Sequence, residues 1–237
     1  MGLILNIETA TNVCSVVLAR DGEMSCLKES LKDKSHSTLL SVFIEETLRE
    51  TKLSAYQLDA IAVSKGPGSY TGLRIGVSLA KGLCYGSNKP LISVNTLSAM
   101  AYGMISGYKP DKNNPPLLKN TLFCPIIDAR RMEVFTAVYD HLNNIVEDTQ
   151  ALIIDSSSFK EYFAEKKLIF FGTGAAKIKN IIRNKNALFI DNYNTSARNM
   201  IKISEEALKK REFENVAYFE PYYLKDFIAT VPKKKYL

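Results

Sequence analysis

The residues with the clearest chemical potential lie in the stretch AIAVSKGPGSYTGLRIGVSLAKGL, Ala60 to Leu83, where an apolar strand runs through a glycine-rich loop into a helix. Many proteins hold a phosphate with this order of elements, because glycines let the backbone approach and a helix N-terminus offers free N–H groups. The spacing fails both specific tests. A P-loop requires Lys and then Ser or Thr directly after its closing glycine, and here Gly72 is followed by Leu73 and Arg74. A dinucleotide fingerprint requires glycine at the sixth position counted from Gly66, and that position is Thr71. Two readings stay open: a loop that presents amides to a ligand, and a tight turn whose glycines serve close packing, of which the second is favoured.

Nucleophilic chemistry is served poorly. Ser64, Ser69 or Cys14 would each need a base within hydrogen-bond reach, and the chain has only His36 and His141. Ser69 does not stand in the G-x-S-x-G setting that places a nucleophile on a strained elbow. Cys14, Cys26, Cys84 and Cys124 match neither a CxxC pair nor a zinc knuckle and read as reduced core thiols of a cytoplasmic protein. Two carboxylates have a more suggestive setting: Glu8 and Asp128 each end an apolar strand just before a polar turn.

The elements that position these residues follow from pattern. LILNIET, VCSVVLA and EMSCLKES, separated by ATN and RDG, read as an antiparallel meander. A helix over 38–50 follows, with Leu39, Leu40, Phe43, Ile44 and Leu48 at helical spacing and Ser35 or Ser37 as N-cap. A strand at 60–64, a helix at 72–85, the strand LISV and a helix from Thr96 complete the first half. GYKPDKNNPPLLKN, Gly107 to Asn120, is rich in Pro, Asn and Lys and marks a linker. LFCPIIDARRMEVFTAVYDHLNNI then repeats the opening pattern, followed by helices at 158–166, 175–184 and 195–210 with strands LIFFGTG and ALFI between them. The expected units are 1–107 and 121–237 joined by 108–120, with the C-terminal segment either in the second unit or packed back on the first. Two units that open with such turns point to an actin-like architecture, against an α/β protein whose strands end in acids by chance.

Composition agrees with a folded protein: 46% of the 237 residues are hydrophobic and 24% charged, with no polar tract. The net charge of +6 is partly in the tail VPKKKYL and otherwise scattered, so it permits contact with nucleic acid without requiring it. The N-terminus lacks a basic leader and reads as a strand, and no apolar run has the length of a membrane span.

The loop motif KGPGSYTGLRIGVSLAKGL resembles the signature of the TsaB (YeaZ) family, and ILNIETAT, SHSTLLSVFIEETL, IDARRMEVFTAVY and PYYLKDF agree with it over most of the chain. The resemblance implies an α/β, actin-like (ASKHA, ribonuclease H-like) duplicated two-domain fold with mixed sheets. It also implies a role beside TsaD, the subunit that transfers threonylcarbamoyl to the adenosine next to the anticodon of tRNA, with TsaE, an ATPase, joining them. The motif residues it carries over are Gly66, Pro67, Gly68, Ser69, Thr71, Gly72, Leu73 and Arg74, with Asp128, Arg130 and Glu133 in the second unit; none receives a catalytic role. The transferase holds a metal between two His four apart on one helix, whereas here His36 is followed at that spacing by Leu40.

The expectation is therefore a cytoplasmic, non-catalytic partner subunit without metal or cofactor, reaching tRNA only through the complex, touching no membrane and forming a homodimer in isolation. The alternatives are a weak actin-like ATPase and, further off, a glycoprotease-like peptidase. The expected partner face joins Leu39 and Phe43 to Leu73, Val77 and Ala80 on the next helix, the competing reading being that these residues are core. His36 itself is expected as a cap or a surface residue.

Overall fold

The structure is a computed structural model and describes residues 2–32, 36–107 and 119–224. Most of the expected linker, the last three residues of PYYLKDF, the basic tail and Ser35 lie outside the described residues.

The opening meander forms as β1 (Leu3–Glu8), β2 (Cys14–Arg20) and β3 (Glu23–Ser30). Asp21 and Gly22, both in the left-handed region, make the β2–β3 turn, as an Asp-Gly pair does in a hairpin. Then come α1 (His36–Glu50), β4 (Ala60–Gly66), α2 (Tyr70–Ser87), β5 (Leu91–Asn95) and α3 (Thr96–Gly107). The sheet order is β3-β2-β1-β4-β5, with β1 parallel to β4 and β4 to β5.

The second half repeats this. Strands β6 (Thr121–Asp128), β7 (Glu133–Tyr139), β8 (Ile145–Ile153), β9 (Lys167–Phe171) and β10 (Ala187–Ile190) lie in the order β10-β9-β6-β7-β8, so each strand has a counterpart in the first sheet with the same direction and neighbours. This is the duplicated actin-like fold.

Helical content is lower than periodicity suggests in the second half. α4 is only Lys160–Phe163, and α5 only Ala175–Ile178. The side chains of Asp155 and Asn184 accept from backbone N–H groups two residues on, and Phe159 is left-handed, so local polar turns win over helix propagation. The long helix expected at 195–210 is a 3-10 turn, Ala197–Met200, followed by α6 (Ile201–Lys210).

β1 is buried along its whole length because both faces of the first sheet are covered. On one face Leu5, Ile7, Val16, Ile61 and Val63 meet Leu40 and Ile44 of α1 and Val77 and Ala80 of α2. On the other, Ile4, Val17, Ala62 and Ile92 meet Ala99 of α3 and Met200, Ile201 and Ala207. The opposite side of α3, through Leu97, Met100 and Met104, packs on Phe123, Ile169 and Phe171 of the second sheet, so α3 is a layer shared by the two sheets. α6 and the segment after it thus join the first sheet. Glu214 bridges to Leu91, the side-chain amine of Lys81 donates to the carbonyls of Ala217 and Phe219, and Tyr222 N–H donates to Lys65 O at 2.7 Å.

Candidate functional site

The glycine loop lies on the first hairpin turn. Gly66 has φ +110°, a conformation that side-chain-bearing residues rarely adopt, and the Gly66–Pro67 peptide is cis. Ser69 N–H donates to Ala10 O at 2.6 Å, and the Ser69 hydroxyl caps α2 by accepting from Gly72 N–H at 3.2 Å. A Cβ at Gly68 would collide with the carbonyl oxygen of Ala10, one at Gly72 with the carbonyl oxygen of Thr9, and one at Gly76 with the Thr9 hydroxyl. The glycines therefore bring the head of α2 against the Thr9–Ala10 backbone. Of the two readings of this loop, the geometry is that of packing, with the turn occupying the space in front of the helix.

Beneath the turn lies a buried polar cluster. Glu8 is fully enclosed; one carboxyl oxygen accepts from Ala10 N–H at 2.6 Å and from the Ser64 hydroxyl at 3.0 Å, and Ser64 in turn accepts from Thr9 N–H at 3.3 Å. Burial pushes the Glu8 carboxyl up to about 7, against the lowering effect of the Ala10, Ser64 and Thr9 hydrogen bonds and with a small further rise from Glu29. Thr11 and Thr195 share a hydroxyl hydrogen bond at 2.7 Å, and Ala197 N–H donates to Ser15, so the far half is tied to this same turn.

The proposed nucleophiles are committed elsewhere. Ser64 is buried on Glu8 and Ser69 serves as a cap. Burial pushes the Cys14 thiol up to about 11 and the Cys84 thiol up to about 12, and raises Cys124 as well, so these stay protonated at neutral pH. His36 corrects the sequence reading: it is buried, and its ring N–H donates to Val13 O at 3.1 Å, satisfying a carbonyl that the hairpin turn leaves without a strand partner. Leu40, one turn on, is core. Among the described residues no group of three or more His, Cys, Asp and Glu is placed to hold a metal.

In the second half, Asp128 is exposed rather than buried; it accepts from Arg130 N–H and from the Lys177 amine, both at 2.9 Å. Arg130 and Arg131 are both left-handed and form the hairpin turn into β7, while Lys177 also reaches the Glu133 carbonyl at 2.9 Å. Asp128, Arg130 and Glu133 thus belong to one braced turn. The loop Gly172–Gly174 packs on it from β9, as Gly66–Gly72 packs on the first turn from β4, a correspondence that the sequence analysis did not single out although FFGTG was visible.

The expected partner face is not assembled as expected. Leu73, Val77 and Ala80 point into the sheet and are buried within the chain. Leu39 and Phe43 are partly buried on the flank of α1 that turns towards β3, the flank on which Glu46 and Glu50 pair with Lys28, rather than beside α2. Helical spacing identified the apolar residues but not which of them the sheet covers. The outward side of α2 instead carries Thr71, Arg74, Ser78, Gly82, Tyr85 and Gly86. Arg74 lies over the Tyr70 ring at 4.4 Å, and Tyr70 meets Tyr223 at 5.0 Å, closing a groove between α2 and the C-terminal segment.

The family model for TsaD, tRNA N6-adenosine threonylcarbamoyltransferase, matches residues 30–233. The tRNA threonylcarbamoyladenosine biosynthesis protein TsaB of Escherichia coli is 30% identical over 95% of this chain and 96% of its own length. The chain belongs to the TsaB family. TsaB of Bacillus subtilis is also 30% identical, over 76% of this chain and 75% of its own. The solved structure of YeaZ from Pseudomonas aeruginosa matches over 94% of this chain and all of its own with a TM-score of 0.78 at 20% identity, a likeness of fold. Among the described residues no helix is long and apolar enough to cross a membrane.

Two outcomes follow for a TsaB chain with this closed turn. Gly72→Ala should destabilise the fold by about 1–3 kcal/mol, since the added methyl meets backbone that cannot rotate away; urea unfolding that leaves the midpoint unchanged would show the loop to be free of the turn. Glu8 holds its proton more tightly folded, at about 7, than unfolded, near 4.5. Its contribution is therefore fully present below 4.5 and lost as pH rises through about 7, about 3 kcal/mol at most. Glu8→Gln, neutral throughout, should flatten the fall in stability between about pH 5 and pH 8. An unchanged pH slope in the variant would place the charge elsewhere.

Proposed function

We propose that this TsaB chain is a non-catalytic subunit that docks on a TsaD-type transferase and holds it in an active shape for forming threonylcarbamoyladenosine next to the anticodon of tRNA. A TsaE-type ATPase would complete the assembly in the cytoplasm. The observation that carries the reading is the filled space at the first turn: the Ser69 amide donates to Ala10, the Gly72 amide to the Ser69 hydroxyl, and the space that Gly68 and Gly72 leave is taken by Ala10 and Thr9. The family match with a transferase, and relatives named for threonylcarbamoyladenosine biosynthesis, supply the reaction in which such a subunit would serve.

The docking surface in this reading is the outward side of α2 beside α1. Gly82 and Gly86 sit in the interior and last turn of α2 with nothing within 4 Å of where a Cβ would be. Each costs the isolated helix up to about 1 kcal/mol relative to Ala without any packing return inside the chain. Tyr85 between them is 87% exposed. A partner helix approaching closely there would explain both, and a second copy of the chain would use the same face in a homodimer, competing with the transferase.

Gly82→Arg tests this without touching the core. Its melting temperature should equal or exceed the parent's, while affinity for the transferase falls at least about tenfold and reconstituted threonylcarbamoyl transfer falls with it. A variant that still co-elutes with the transferase would move the interface elsewhere. Transfer of threonylcarbamoyl by this chain without the transferase would overturn the non-catalytic reading itself.

A further inference from the structure

Part of the positive charge that is scattered along the sequence is gathered in space. Three segments meet at the end of the second sheet where β6, β9 and β10 begin: Lys167 N–H donates to Asn120 O, Leu168 N–H to Asn186 O, and the Asn186 side-chain amide to Phe163 O. These contacts gather Lys119, Lys166, Lys167, Arg183 and Lys185 at one end of the molecule. All but the half-buried Lys166 are exposed. None of the five forms an ion pair with a described residue, and the two acids on these turns, Glu161 and Glu165, leave the cations in excess. Several cations elsewhere are paired, Lys28 with Glu46 and Glu50, Lys177 with Asp128, Lys179 with Asp191, Arg198 with Glu29, Lys202 with Glu23 and Lys209 with Glu205, while others such as Arg20, Lys52 and Lys210 stand without an ion pair to a described residue and serve below as controls. Cations left bare on one end, among the amide side chains of Asn120 and Asn184, are groups that contact phosphate oxygens.

We propose that this end of the second sheet, on the opposite side of that sheet from the Asp128 turn, binds the phosphate backbone of RNA, and that in the assembly the RNA is the tRNA being modified. The identity of the RNA rests on the proposed function; the phosphate contact does not. The surface reads no sequence, since it offers flexible cations rather than a groove for bases. It adds affinity and orientation, and its contribution weakens steeply with salt.

The test uses the full chain, alone and mixed with the transferase, with bulk tRNA as the probe in filter binding over a range of salt. The triple variant Lys167→Glu, Arg183→Glu, Lys185→Glu should lower tRNA affinity at least about tenfold and reduce the slope of log affinity against log salt by about two to three. Its melting temperature and its association with the transferase should match the parent's. A control with the same charge change on the first half, Arg20→Glu, Lys52→Glu, Lys210→Glu, should retain most of the affinity. If the reversed triple unfolds, the neutral set Lys167→Gln, Arg183→Gln, Lys185→Gln replaces it with the same expectation. A parent that fails to bind tRNA both alone and in the mixture overturns the proposal, as does a variant that binds like the parent or a control that loses as much. If the transferase does not associate but the variant alone still loses tRNA affinity, the proposed function fails while the phosphate surface stands.

Discussion

The contact on which the rest of this structure depends is the one between the head of α2 and the Thr9–Ala10 backbone. It exists because three positions facing the turn lack a Cβ and because Ser69 N–H finds the Ala10 carbonyl. From it follow the direction of α2, and with that the burial of Leu73, Val77 and Ala80 against β4 and the exposure of Gly82 and Tyr85. The same contact encloses Glu8, whose proton affinity rises for lack of water. A helix start that elsewhere would be open to an anion is here packed against the chain's own first turn.

Duplication gives the second half the same strand order but not the same environment. Asp128 stands where Glu8 stands, yet it is exposed and neutralised by Lys177, because α4 and α5 are single turns and leave that end of the sheet uncovered. The first half receives more than its share of cover: α6 and the segment to Tyr222 cross over to it, bringing Tyr222 against Gly66. The two halves are fastened by α3, packed between the sheets, and by the Thr11–Thr195 hydrogen bond. The second half, with few helices, keeps open sheet ends on which unpaired cations can collect.

The order of elements and the duplication were legible in the sequence because alternation and acid-ended strands recur, and the glycine motif identified the family. The site was legible in part. Spacing told that Gly66, Gly68 and Gly72 must relieve crowding, but what they make room for is set by distant segments, the Thr9–Ala10 turn for Gly68 and Gly72 and the Tyr222 carbonyl for Gly66. Helical periodicity marks a residue as apolar, not as facing sheet or solvent, so for Leu73 and Val77 it leaves partner face and core both open, and it gives no sign of the two unexplained glycines of α2. His36 reads as a cap or a surface residue because Val13, its partner, lies on another element. The short helices of the second half were overestimated because Asp155, Asn184 and their neighbours form side-chain turns that periodicity does not register.

The central claim is that the glycine loop is occupied by the chain's own first turn, leaving the protein to act through assembly. Calorimetric titration of the isolated chain with ATP and magnesium addresses it most directly. The account predicts no low-micromolar binding, because Thr9 and Ala10 stand where a phosphate would approach the head of α2. A stoichiometric complex with low-micromolar affinity would contradict it, and would mean that the loop opens to take the nucleotide.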